Sequence, residues 1–286
     1  MQVPKPNYES HQKYIQSILN QMTCQRSFKQ EPLYMEVLEN VSKEYGIQYL
    51  QHIEGEFPMV TFDILRKYVN TNDKYGNANK TIFTTQDKKL LYCSPTSLRY
   101  LYHALILMDA FKLSGCRNMV ELGSGYGGLY LAVQIVLPLF TDVTIDKYVM
   151  IDLPYSGALT SSYLKVHEED TIVPYEIIEG IEASGTGFTT ITPPPNNSFF
   201  VSNYCLSALS AELQTQYRIY LLDHCSHGWV TWQTCFGDSV ETAKTLLGKP
   251  EESYTIVSEK PQTAPYFIEN YWIYWNIGTQ GSNKTS

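Results

Sequence analysis

The hydrophobic pattern between residues 117 and 153 changes period twice. A short apolar run ends in Glu121, glycines follow at 123, 125, 127 and 128, and an apolar stretch of helical length continues to about Leu137. A second apolar run, Lys147 to Ile151, then ends in Asp152. Runs of this length on either side of a helix predict a strand–turn–helix–strand unit with a carboxylate at each strand tip. Upstream, Tyr14, Ile15, Ile18, Leu19 and Met22 keep a helical period, as do Leu33, Val37, Leu38 and Val41, which predicts a second helix ending near Gly46. Residues 70 to 89 are polar, rich in Asn, Lys and Thr, and read as loop. Ser94-Pro95-Thr96 has the form of a helix start, and Leu98, Leu101, Tyr102, Leu105 and Met108 supply the stripe that follows.

Downstream, helices are expected over Tyr155–His167, Ala211–Leu222 and Ser239–Leu247, and strands over Thr171–Ile178, Ser198–Ser202, Trp229–Thr234, Tyr254–Ser258 and Phe267–Trp275. The glycine- and proline-rich stretch from 180 to 197 fits neither a central strand nor a continuous helix. Strands alternating with helices describe an α/β fold with a Rossmann-like, doubly wound sheet. Seven strands with an antiparallel final pair would make it the methyltransferase type of sheet rather than a six-stranded dinucleotide fold. The expected organisation is a mainly helical N-terminal cap over 1–93, a nucleoside-cofactor domain over 94–278 and a disordered tail over 279–286.

Which cofactor the glycine turn suits depends on its neighbours. Glycines let a ligand lie against the backbone, and the helix start behind them favours an anionic group. Asp152 falls about thirty residues after Glu121, near the distance at which a strand-end carboxylate meets ribose hydroxyls. Glu121 is the discriminating residue, because a carboxylate two places before the first glycine would repel a pyrophosphate yet suit ammonium and sulfonium charges. The pattern E-x-G-x-G-x-G followed by a strand-end Asp therefore points to S-adenosylmethionine over NAD or FAD.

Composition removes other classes. With 286 residues, a net charge of −8 and 21 Lys plus Arg, the chain lacks the basic footprint of a nucleic-acid binder. Six cysteines are scattered without a C-x-x-C pair, so neither a zinc site nor a disulfide framework is expected. No apolar run is long enough to span a bilayer and the first residues carry no signal-peptide core, so the expected compartment is the cytoplasm.

Several blocks resemble the sugar O-methyltransferase family: NDKYGN at 72–77, SPTSLRY at 94–100, VELGSGYGG at 120–128, MIDLP at 150–154, and SNYCLSAL at 202–209 followed by Gln214 and Tyr217. The resemblance implies a class I S-adenosylmethionine-dependent fold with a helical N-terminal extension, and a sugar hydroxyl, in a nucleotide sugar or a glycan, as methyl acceptor. It departs at Ala208, where the family's block has an acidic residue. On this reading Glu121 with Gly123, Ser124, Gly125, Tyr126 and Gly127 lines the methionine part, Asp152 with Leu153 the ribose end, and Asn203 lies near the transferred methyl group. Asp73, Tyr75, Arg99 and Tyr100, in blocks that the resemblance singles out, are candidates for acceptor contacts.

Methyl transfer from a sulfonium is an in-line displacement, and a base in hydrogen-bond reach of a hydroxyl acceptor adds roughly 10²- to 10⁴-fold. Strand-end Tyr204 and Glu259 are candidates for that role, as is His227, which with His224 lies in DHCSHGW and enters its strand from the amino end. No paired D-D or H-x-D cluster marks a strand end, so no metal is expected. Two other functions fit the same residues: an O-methyltransferase for phenolic or other small hydroxyl compounds, and a non-catalytic scaffold that keeps the cofactor fold, for which Ala208 is the hint. A homodimer through the cap is the expected assembly.

Overall fold

The computed structural model describes residues 27–180, 193–195, 197–236, 239–263 and 268–277, together with 13, 15 and 16. Most of the helix expected over Tyr14–Met22, most of the proline-rich loop and the tail lie outside the described residues. In the cap, α1 spans Pro32–Val37, α2 Lys43–Glu56 and α3 Phe62–Asn72. Ser42 and Thr61 cap the latter two by accepting the amides of Tyr45 and Ile64.

Two cap expectations are corrected. Gly46 lies inside α2, not at a helix end. A Cβ there would stand 2.7 Å from the Phe83 ring, so glycine lets α2 approach its neighbour. The supposed loop 70–89 holds the end of α3 and a strand, β1 (Thr81–Thr84), which pairs antiparallel with β2 (Leu90–Cys93), Thr81 opposite Cys93. Its alternation is only four residues long: Phe83, Leu91 and Cys93 are buried, while Ile82, Leu90 and Tyr92 face out.

Helix α4, Pro95–Ser114, joins the cap to the sheet. Ser94 caps it and Gly115 ends it at φ 65°. It packs on α2 on one side and on α5 (Gly128–Val136) on the other. Residues on most of its circumference are therefore buried, as expected of a helix covered on both sides.

The main sheet has seven strands in the order β5-β4-β3-β6-β7-β9-β8. They are β3 Asn118–Leu122, β4 Lys147–Asp152, β5 Tyr175–Glu179, β6 Ser198–Asn203, β7 His227–Gln233, β8 Tyr254–Ser258 and β9 Asn270–Trp275. The first five pair in parallel, and β9 runs antiparallel to both β7 and β8. This is the seven-stranded, Rossmann-like sheet of the methyltransferase type. Helix α6, Pro154–Lys165, follows β4; α7, Ala211–Tyr217, follows β6; α8, Val240–Leu247, follows β7.

The two-residue period of the strands sorts side chains onto two faces. Met119, Tyr148, Met150, Phe199, Val201 and Trp229 join the core shared with the cap, whereas Val120, Leu122, Phe200, Val230 and Trp232 join the core on the other face. Extending that alternation by one pleat places Glu121, Asp152 and Asn203 on the cap face at the carboxyl ends of adjacent strands. Among the described residues no helix is long and apolar enough to cross a membrane.

Candidate functional site

Glu121 ends the cap-face row of β3 and is 3% exposed. Its Oε2 accepts the Tyr148 hydroxyl at 3.0 Å, a partner brought within reach by the parallel register that sets Glu121 opposite Met150. Burial pushes its carboxyl up to about 8; the Tyr148 hydrogen bond works against that rise and nearby Asp152 adds to it. Asp152, at the tip of β4, accepts the Gly125 amide at 2.7 Å and the Leu153 amide at 2.8 Å. Burial raises its carboxyl to about 6, with those amides and the Ser156 and Ser124 hydroxyls opposing. Among the described residues neither carboxylate forms an ion pair with a Lys or Arg.

The turn between them is built for close approach. Gly123 stands at φ 86°, and a Cβ there would lie 2.3 Å from that of Cys205. Gly125, at φ 60°, faces the Leu38 side chain across the turn. Gly127, at φ 88°, is the residue before α5. The Tyr126 ring does not enter the cleft; it is fully buried beneath the cap, 4.9 Å from the Tyr163 ring and under the Lys29 ammonium at 4.3 Å. Ser124 is buried beside Asp152.

The next strand carries the site outward. Asn203, at the end of β6, accepts the Thr231 hydroxyl at 2.8 Å. Tyr204 follows at φ 63°, a left-handed conformation that a non-glycine residue adopts at a cost. Its hydroxyl donates to Glu259 in a short hydrogen bond. Glu259 is 2% exposed and also accepts the Thr263 amide at 3.2 Å, the Thr263 hydroxyl at 2.8 Å and the Asn270 amide nitrogen at 2.9 Å. The Arg99 guanidinium lies 5.3 Å over the Tyr204 ring and donates to the Leu38 carbonyl at 2.8 Å and to Asn40 at 3.1 Å. Tyr100 packs on Tyr126 at 5.6 Å. Leu38, Glu39 and Asn40 thus form a strap from α1 that crosses the glycine turn and is tied down by α4.

Other candidates stand apart from this group. Asp73 accepts the Ser94 amide and the Ser97 hydroxyl, both at 2.7 Å, and so holds the start of α4. Tyr75 packs on His167, 5.2 Å away, beyond the end of α6. His227 is the first residue of β7, at the opposite end of the sheet from the glycine turn, where its Nδ1 meets Ser226 at 2.8 Å and Cys116 at 3.3 Å. Position 208 is buried in the turn after β6. Sequence reasoning missed Tyr148, Leu38 and Glu39. It also passed over His103, although its spacing of four from Arg99 puts both on one helix face. Among the described residues no group of three or more His, Cys, Asp or Glu side chains could hold a metal ion.

No protein-family model matches the chain, and no curated protein matches it. Solved structures do resemble it. An O-methyltransferase from Bacillus cereus, in complex with SAH, is 10% identical over 81% of this chain and 98% of that one, with a TM-score of 0.45. The O-methyltransferase TomG from Streptomyces achromogenes, involved in tomaymycin synthesis and in complex with SAM, is 13% identical over 83% of this chain and 100% of that one, with a TM-score of 0.44. An rRNA methylase from Streptococcus thermophilus is 13% identical over 60% and 96%, with a TM-score of 0.39. Likeness at this level concerns the course of the chain and says nothing of its site.

Proposed function

We propose that the chain is an S-adenosylmethionine-dependent O-methyltransferase whose acceptor is a sugar hydroxyl. One observation supports the cofactor: Glu121 and Asp152, two carboxylates raised by burial and without a cationic side-chain partner among the described residues, flank a glycine turn at neighbouring strand tips. A buried carboxylate is costly unless a positive group or hydrogen bonds compensate it. An ammonium and a sulfonium supply that compensation, whereas a dinucleotide's pyrophosphate would make it worse. The Asp152 carboxylate has acceptor capacity beyond its two backbone amides and takes the ribose hydroxyls, and Glu121 takes the methionine end.

When bound, S-adenosylmethionine supplies an electrophilic methyl group. The chain's own task is then to hold an oxygen in line with it and to take that oxygen's proton. Tyr204 is suited to both. Its hydroxyl proton is directed at Glu259, so its oxygen can accept, from an acceptor hydroxyl as well as from the Tyr49 hydroxyl that faces it. The acceptor proton passes to Tyr204 as the Tyr204 proton passes to Glu259. The three further donors on Glu259 fix the direction of that pair. The sugar acceptor rests on the block resemblance and on the polar, aromatic character of the residues around Tyr204.

Titration calorimetry with S-adenosylhomocysteine tests the cofactor, and transfer of labelled methyl groups to a pool of sugars and nucleotide sugars tests the acceptor. Binding of S-adenosylhomocysteine followed by labelled sugar is the expected result. Failure to bind removes the cofactor; binding with label only on phenols moves the acceptor to the small-aromatic class.

A further inference from the structure

Among the described residues, three buried polar atoms near Tyr204 lack a hydrogen-bond partner: the Tyr49 hydroxyl, His103 Nε2 and Trp272 Nε1. They come from α2, α4 and β9, and the side chains are 0%, 2% and 5% exposed. Their rings touch in sequence. His103 is 6.0 Å from Tyr49, 6.4 Å from Trp272 and 5.8 Å from Tyr204, centroid to centroid. The Tyr49 hydroxyl also faces that of Tyr204. Native interiors pair nearly all of their buried polar atoms, so three orphans in one ring cluster need an explanation.

Their chemistry narrows what would satisfy them. Trp272 can only donate, while Tyr49 can donate and accept. His103 is neutral, its imidazole pushed down to about 3 by burial and by Arg99, and a neutral imidazole also offers one donor and one acceptor. The set therefore presents mixed hydrogen-bonding capacity without charge, framed by aromatic rings. An anion would need a free cation, and Arg99 is already committed to Leu38 and Asn40. A phenol brings one hydroxyl and would leave most of the set unpaired. A neutral polyhydroxylated ring brings several hydroxyls on its edge and an apolar face for the side chains to cover.

We infer that Tyr49, His103 and Trp272 form an acceptor subsite that binds the hydroxyls next to the reacting one on a neutral polyol ring. The inference rests on the reading above that the acceptor enters beside Tyr204. Each residue arrives from a different element, so the subsite exists only when the cap is docked on the sheet. They set which ring is accepted and how it is turned.

Tyr49→Phe, which removes a single oxygen, is the mildest probe, with Trp272→Phe and His103→Gln beside it and thermal unfolding to confirm folding. The intact chain and each variant are titrated calorimetrically with a panel of free hexoses, methyl glycosides and nucleoside diphosphate hexoses, with catechol, and separately with S-adenosylhomocysteine. The expected result is that at least one polyol binds, and that Tyr49→Phe and Trp272→Phe each weaken it by about two- to tenfold, the factor carried by one hydrogen bond. S-adenosylhomocysteine affinity should not move in either. No binding by any polyol, preference for catechol, or polyol affinity unchanged in all three variants overturns the subsite. If S-adenosylhomocysteine fails to bind, the methyltransferase reading falls by itself, and the polyol titrations still decide the subsite.

Discussion

The Asp152 carboxylate at the tip of β4 accepts the Gly125 amide at 2.7 Å, so the strand-end acid holds the shape of the turn that follows the neighbouring strand. On the proposed reading one side chain serves both the fold and the ligand. Asp152→Ala removes that bond and the one to Leu153 and should lower stability by about 1 to 3 kcal/mol, while weakening S-adenosylhomocysteine binding. Urea unfolding and calorimetry on the same preparation check both. Unchanged cofactor affinity would take Asp152 out of the site.

Glu121 should make the ligand-free protein less stable as pH rises. Its carboxyl titrates near 8 in the folded chain against an ordinary 4.5, so between those values the folded state holds a proton that the unfolded state has lost. Its contribution is present below the unfolded value and is lost as pH rises through the folded one. Glu121→Gln should flatten this part of the stability–pH curve and raise Tm above pH 8. Thermal scans across that range decide it; an unaltered slope would mean that Glu121 is not the group responsible.

The same shift governs ligand binding. A positively charged methyl donor favours the ionised form of Glu121, so its binding should release a proton below pH 8 and its affinity should climb with pH until Glu121 is ionised unaided. Calorimetry in two buffers of different ionisation enthalpy counts the protons. No release, or affinity that falls with pH, would contradict the pairing of Glu121 with a cation.

Arg99 ties the strap to α4 through two hydrogen bonds, with its guanidinium over the Tyr204 ring. Arg99→Lys cannot reproduce a planar fork that serves two acceptors at once, so it should free the strap nearly as far as Arg99→Met. Faster proteolysis between 38 and 42 is the expected readout, with a stability loss of roughly 1 to 3 kcal/mol in either variant. Full protection in the lysine variant would show that charge alone holds the strap.

Asp73 separates a structural role from an acceptor role. It receives the first amide of the α4 start and the Ser97 hydroxyl, so Asp73→Ala should cost about 1 to 3 kcal/mol of stability and leave the acceptor KM unchanged. A raised KM with unaltered stability would return Asp73 to the acceptor side.

The sequence alone determined the α/β alternation, the glycine turn, the two acidic strand tips and the long helix opened by Ser94-Pro95. Each of these is a local matter: a period of two or of 3.6, a residue without Cβ, a cap whose hydrogen bonds span a few positions. It did not show the strand hidden in 70–89, whose four-residue alternation is shorter than a period can establish, or that Gly46 sits where α2 meets Phe83. Only the tertiary structure decided that Glu121 is paired with Tyr148, that Tyr204 is aimed at Glu259, that His227 is at the far end of the sheet, and that Tyr49, His103 and Trp272 meet. These relations join residues as far apart as 49 and 272, so they depend on strand order, register and the docking of the cap. Burial then sets the charge behaviour of Glu121 and Asp152, because the cost of ionising a carboxyl lies in the water it has lost, which no neighbour in the sequence can report.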